Sequence, residues 1–196
     1  SARAYDKEVA KLAYKNAGLL MPRHVLFTPE TFSAEKLIYV VRNYLHPVIV
    51  KPASAGSSVG VRLAHGLLEL KEAIKNAFTH SKKVLVEEFV RGREATCGIV
   101  ENMRGEKTYA LIPSGNTTSE ENKKITEISK KVHEALGLKH YSSSDFIITP
   151  KGKIYILETD SLPVFHEDSR LHDSLLSTGI KPRDFVEHCV KLALAK

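Results

Sequence analysis

The sequence predicts an α+β fold built on antiparallel sheets, and three observations carry that reading. Four stretches place apolar residues at helical spacing. About six short runs are rich in β-branched and aromatic residues. Two of those runs flank Pro150-Lys151-Gly152, a turn signal that makes them an antiparallel hairpin and argues against a doubly wound parallel sheet.

Taken in order, residues 6–17 put Val9, Leu12, Ala13 and Ala17 on one stripe and stop at Gly18, where a left-handed cap costs little. PVIV at 47–50 is the first strand expected. Residues 67–79 repeat the helical pattern with Leu67, Leu70, Ile74, Ala77 and Phe78. Strands follow at 84–90, 95–100 and 108–112, then a helix at 120–136 with Ile125, Ile128, Val132 and Leu136 before Gly137. The hairpin strands are 144–149 and 153–158, and Pro182 opens a last helix whose apolar positions are Phe185, Val186, Cys189, Val190 and Ala193. A lobe boundary near residue 87 divides the chain into 1–86 and 87–196.

Composition narrows the function classes. The chain has 196 residues, 42% hydrophobic and 27% charged, enough for a sizeable core and too apolar for disorder. The formal charge of +6 suits a polyanion, yet basic and acidic residues are interleaved and no aromatic-rich basic stripe supports nucleic-acid binding. No apolar run approaches the ~20 residues of a membrane span, and SARAYDKEVA has no hydrophobic signal region, so the chain reads as soluble and cytoplasmic. Cys97 and Cys189 stand far apart outside any CxxC pattern and are expected reduced and buried.

Three segments could carry chemistry. In VIVKPASAGSSVGV, residues 48–61, Lys51 precedes Gly56 and Gly60, so the loop is neither a Walker-type P-loop nor a GxGxxG fingerprint. It reads as a lysine at a strand end followed by a flap whose backbone N–H groups could meet phosphate oxygens, or as a plain turn. Glu158 and Asp160 on one hairpin strand share a face, because residues two apart on a strand point the same way, and the short hairpin brings Asp145 of the other strand opposite or diagonal to them. Three such acids without a nearby lysine or arginine repel unless a cation lies between them, and hard oxygen ligands favour Mg²⁺; the alternative is a solvated acidic strand end. VLVEEFVRGREATC could be a lobe-connecting segment that offers backbone groups to a purine and Glu94 to ribose, or a hairpin with solvated acids. His166, Asp168, His172 and Asp173 read as a polar surface loop.

These pieces, in this order, resemble the ATP-grasp enzymes, and most closely the D-alanine–D-alanine ligases. The phosphate flap resembles VKPASAGSSVGV, the nucleotide hinge VEEFVRGREATC, the metal strand IYILETDSLP, and the start of a phosphate-reaching helix YDK at 5–7. The resemblance implies a two-lobe ATP-grasp fold with antiparallel sheets. It assigns Lys7 and Lys51 to phosphate and Ser57, Ser58 and Val59 to the flap. Glu87, Glu88 and Val90 would meet adenine, and Glu94 ribose. Asp145, Glu158 and Asp160 would bind Mg²⁺, with aspartate at 160 where the family usually has asparagine, and Ser169 would lie near the second substrate's carboxylate.

Two positions depart from the family. Ser143 stands where its oxyanion-site arginine would be, and Val164 where its glycine would be. The family also has an N-terminal domain before YDK and a lid segment between the positions of Asn116 and Thr117. The activity implied is ATP- and Mg²⁺-dependent ligation of a carboxylate to an amine, joining D-alanine or another amino acid into a dipeptide for peptidoglycan synthesis through an acyl phosphate. A degenerate nucleotide-binding module without ligase turnover is the alternative. Expected partners are small molecules, with no nucleic acid and no membrane; a homodimer is the assembly expected.

Overall fold

The computed structural model describes residues 2–54, 56 and 59–195. The chain groups into two compact units: one holds the N-terminal residues through Ala4, Ala10–Met21 and everything from Arg91 on, and the other holds Tyr5–Val9 and Pro22–Val90. The chain thus leaves the larger unit twice, for residues 5–9 and again for 22–90, and returns at Arg91, a path that no single cut in the sequence describes.

A short helix α1 (Ala2–Tyr5) precedes α2 (Lys7–Asn16). Asp6 caps α2 by accepting the N–H groups of Glu8 at 3.0 Å and Val9 at 3.3 Å. The face expected to be buried differs from the one observed. Leu12 is 59% exposed, while Ala10, Lys11 and Tyr14 are buried. Tyr14 can turn inward because its hydroxyl donates to Thr159 Oγ1 at 2.9 Å, so the phenol carries no unsatisfied polar atom into the core.

In the smaller unit, β1 (His24–Phe27), β2 (Val48–Pro52), β3 (Arg62–Ala64) and β4 (Val84–Glu88) form one sheet in the order β1-β4-β2-β3, antiparallel throughout. Helices α3 (Ala34–Asn43) and α4 (Leu67–Phe78) share a core with its inner face, where Phe27, Val48, Val50, Val84 and Val86 meet Leu37, Val40, Leu70 and Ile74. Helix α3 is not among the expected elements: its continuous apolar run Leu-Ile-Tyr-Val-Val reads as readily as a strand, although Leu37, Val40, Val41 and Tyr44 lie at helical spacing and are the residues that pack against this core. Its Ser33 cap, accepting from the Lys36 N–H at 3.3 Å, decides the start.

In the larger unit, β5 (Arg93–Met103), β6 (Glu106–Ala110), β7 (Ser114–Gly115), β8 (Tyr141–Ile148) and β9 (Ile154–Asp160) form a five-stranded sheet in the order β6-β5-β8-β9, with β7 beside β5. Helix α5 (Ser119–Ala135) starts at a capping box between Thr118 and Glu121 and buries Ile125 and Val132 in a core that includes Ala95, Cys97, Phe146 and Ile156. Strand alternation then leaves Glu94, Thr96 and Gly98 on the opposite face, where α6 (Arg170–Ser177) and α7 (Pro182–Leu194) share a second core through Leu171, Leu175 and Phe185. Of the stripe expected on the last helix only Phe185 is buried; Val186 and Val190 stand 48% and 53% exposed. Cys97 is buried, and burial pushes its thiol up to about 12, whereas Cys189 is only partly covered. No helix among the described residues is long and apolar enough to cross a membrane.

Candidate functional site

The smaller unit carries the residues expected to meet phosphate. In the β2–β4 register Ile49 lies opposite Glu87 and Lys51 opposite Leu85, which puts Lys51 and Glu87 diagonal to each other on the face away from α3 and α4. Lys51 Nζ reaches Glu87 Oε2 at 3.0 Å, with both side chains buried. The ladder holds the ammonium in place before any ligand arrives. The base of the flap is tied to the start of α2: the Lys7 N–H donates to the Ala53 carbonyl at 2.9 Å, and the Tyr5 hydroxyl donates to the Ser54 carbonyl at 3.1 Å. Lys83 pairs with Glu8 at 2.5 Å and with Asp6 at 3.5 Å on the same segment. Ser57 and Ser58 lie outside the described residues; Val59 is 49% exposed. Gly60 must be glycine, since its φ is 74° and a Cβ there would come within 2.8 Å of the His80 ring and 2.9 Å of Pro52. Glu88 accepts from the Arg23 backbone N–H at 2.9 Å, and Val90 is partly covered at the end of the unit.

The larger unit carries the carboxylates. Thr149 and Gly152 close the hairpin turn, with Gly152 at φ 73°. The resulting register sets Asp145 opposite Glu158 and Ser143 opposite Asp160, with an irregularity just beyond Asp145. On its other side β8 sets Thr96 opposite Asp145 and Gly98 opposite Ser143. Glu94, Thr96, Ser143, Asp145, Glu158 and Asp160 therefore share one sheet face. Beneath it, the hydroxyls of Tyr14, Thr159 and Ser144 form a buried chain with both links at 2.9 Å, pinning β9 to β8 beside the acids.

Sequence reading expects these acids to stand without a basic neighbour; the structure corrects that. Arg170, the first residue of α6, pairs with Glu94 and places Nη1 3.3 Å from Thr96 Oγ1, the hydroxyl that itself donates to Asp145 Oδ1 at 2.5 Å. The Asp145 carboxyl is nonetheless held above its ordinary value, first by burial and then by the charges of Glu158 and Asp160, against the opposing pull of Thr96 and Arg170. Bonding to Glu94 raises the Arg170 guanidinium further.

Gly98 makes this arrangement possible. A Cβ there would lie 2.7 Å from Leu111 Cδ1 and 2.8 Å from Leu171 Cδ1, so glycine leaves both leucines the space they fill between α6 and β5, and any larger residue would force them to shift. An isolated glycine inside a strand pattern was the available signal; for Arg170 the signal was the Ser169 cap ahead of Leu171 and Leu175 at helical spacing.

Ser169 caps α6 through His172 and is buried, and Val164 is 59% exposed in the loop before it. Near the implied lid position, β7 runs into α5 across residues 116–118. There the Gly115 Cβ position falls 2.5 Å from the Glu94 carbonyl oxygen, and Arg93 bonds both the Asn116 carbonyl and Glu121.

Among the described residues no three His, Cys, Asp or Glu side chains close into a ready metal cage. Mg²⁺ does not demand one. It keeps several waters and takes one or two carboxylates plus phosphate oxygens, which fits a half-open set of hard acids with surplus negative charge.

The sequence model of the family described as D-ala D-ala ligase C-terminus matches residues 13–112 and 104–191. The D-alanine–D-alanine ligase of Desulfotalea psychrophila is 32% identical over 222 aligned residues, which take in 100% of this chain and 68% of that protein. The D-alanine–D-alanine ligase structure from Coxiella burnetii superposes with a TM-score of 0.90 at 21% identity, covering 98% of this chain and 58% of that one. The Bacillus anthracis ligase solved in complex with ATP gives 0.81 at 21% identity over 97% of this chain and 65% of that one. At that identity the two structural likenesses establish the fold, and the chain spans about six-tenths of their length.

Proposed function

Because the chain belongs to the D-alanine–D-alanine ligase family, in the C-terminal part of it, we propose that it works as an ATP- and Mg²⁺-dependent carboxylate–amine ligase making a D-alanyl dipeptide, a peptidoglycan precursor. The β5–β8–β9 register carries this reading, since it lines Glu94, Thr96, Asp145, Glu158 and Asp160 along one face. A relative's structure holding ATP supports the nucleotide.

In this chemistry a carboxylate oxygen attacks the γ-phosphorus and ADP leaves; an amine nitrogen then attacks the acyl carbon and phosphate leaves. The protein contributes positioning and electrostatics. Lys51 and Lys7, with the flap residues Ser57, Ser58 and Val59, would receive phosphate oxygens. Glu87, Glu88 and Val90 would face adenine, and Glu94 the ribose. Asp145, Glu158 and Asp160 would hold Mg²⁺, which when bound neutralises phosphate charge. Ser169 would orient the second amino acid's carboxylate. We place the functional lobe boundary near residue 87, at the hinge strand, and a homodimer as the assembly.

A second reading, a nucleotide-binding module without turnover, is favoured by Ser143 and Val164, which offer neither a cation nor a glycine backbone where the family's oxyanion site would be. Incubation with ATP, Mg²⁺ and D-alanine separates the two. Ligation yields ADP, phosphate and dipeptide in equal amounts. Bound ATP without D-alanine-dependent phosphate release leaves the module reading, and no ATP binding overturns both.

A further inference from the structure

We propose that Arg170 is a phosphate-binding residue that meets the phosphate chain of the nucleoside triphosphate over the β5–β8 face; this rests on the nucleotide reading above. Glu94, Asp145, Glu158 and Asp160 share that face, and Arg170 is a cation that its contacts to Glu94 and Thr96 place beside them. Ser143, two residues from Asp145 on the same face, adds no charge. A polyphosphate brought against four carboxylates needs compensating positive charge beyond a divalent ion, and a guanidinium supplies it with a fork of donors matched to phosphate oxygens.

The geometry keeps this guanidinium available. Glu94 and Thr96 engage it from one side, while its side chain is 49% exposed and has donors to spare. An exposed pair such as Arg170–Glu94 is worth little in water, so phosphate oxygens can take over the guanidinium at small cost as ribose hydroxyls approach Glu94. The backbone beneath it is fixed: Ser169 caps the helix, Leu171 packs into the space that Gly98 leaves, and the N-terminal end of α6 adds its partial positive charge. The Ser169 cap marks where its helix starts, but its place among the acids follows from α6 lying on β5.

The test titrates the unchanged chain, R170L and R170K with Mg·ATP, Mg·ADP and adenosine by calorimetry, with circular dichroism confirming the fold. R170L is expected to lose about tenfold or more in Mg·ATP affinity and less than about twofold for adenosine, with R170K in between. If R170L does not fold, R170K decides, by a loss of several-fold confined to the phosphate-bearing ligands. Equal losses for Mg·ATP and adenosine, or no loss, overturn the proposal. Tighter Mg·ATP binding by R170L also overturns it and makes Arg170 a blocker of Glu94. If the unchanged chain binds adenosine and ATP not at all, the nucleotide reading itself has failed, which differs from a failure confined to Arg170.

Discussion

The Lys51–Glu87 pair and the Asp145 face handle charge in opposite ways. In the smaller unit a cation and an anion meet at 3.0 Å inside a strand ladder, matched and buried. In the larger unit Glu94, Asp145, Glu158 and Asp160 share one face with Arg170 at its side, and burial with like charge holds the Asp145 carboxyl above its ordinary value. The first arrangement keeps its shape without a ligand. The second is electrostatically incomplete, so a bound cation should stabilise it more than it stabilises the first.

The largest expected effect comes from breaking the matched pair. Lys51→Ala should cost about 3–5 kcal/mol in chemical unfolding, because it strips a buried carboxylate of the ammonium beside it. Lys51→Met with Glu87→Leu should recover most of that stability while leaving nucleotide affinity impaired. A double variant as unstable as Lys51→Ala would contradict the view that the pair is matched for folding.

Gly98→Ala should cost about 1–3 kcal/mol by crowding Leu111 and Leu171, and it should weaken nucleotide binding by displacing α6. Urea unfolding and an ATP titration read the two effects separately. On the incomplete side, Asp145→Asn should raise metal-free stability by about 1 kcal/mol by removing a desolvated charge, and should abolish the Mg²⁺ dependence of ATP binding. A loss of metal-free stability would show that Asp145 is already compensated.

The smallest effect is a pH dependence at His133, buried beside Glu101 and bonded through Nδ1 to Ser142 Oγ at 2.8 Å. Burial lowers its pKa from 6.5, with Glu101 opposing. The unfolded chain therefore binds the proton more readily, and stability should fall as pH drops below about 6.5. His133→Asn should flatten that slope in thermal unfolding from pH 7 to pH 5; an unchanged slope would assign it to other groups.

The hairpin at 144–158 was legible from Pro150-Lys151-Gly152, and the shared face of Glu158 and Asp160 from period-two spacing, but the register was not: the irregularity between Asp145 and Phe146 sets Asp145 opposite Glu158, where unbroken pairing from Phe146 and Ile156 would set it opposite Leu157. The helices over Ile74 and Ile125 were legible from their 3.6-residue stripes. Helix α2 was not, in that its inward face holds Lys11 and Tyr14. Counting apolar residues cannot see that Tyr14 finds a hydroxyl partner 145 positions away.

What the sequence alone determined is therefore local or periodic: element types, the acid-bearing hairpin, the lysine ahead of the flap, and the resemblance those pieces carry. The tertiary structure decided which charges meet. Lys51 finds Glu87 through strand pairing, and Arg170 reaches Thr96 and Glu94 because Gly98 admits α6 onto β5. The physical reason is range: spacing governs neighbours on one strand or helix, whereas electrostatic partners are chosen by packing between segments 36 to 76 residues apart.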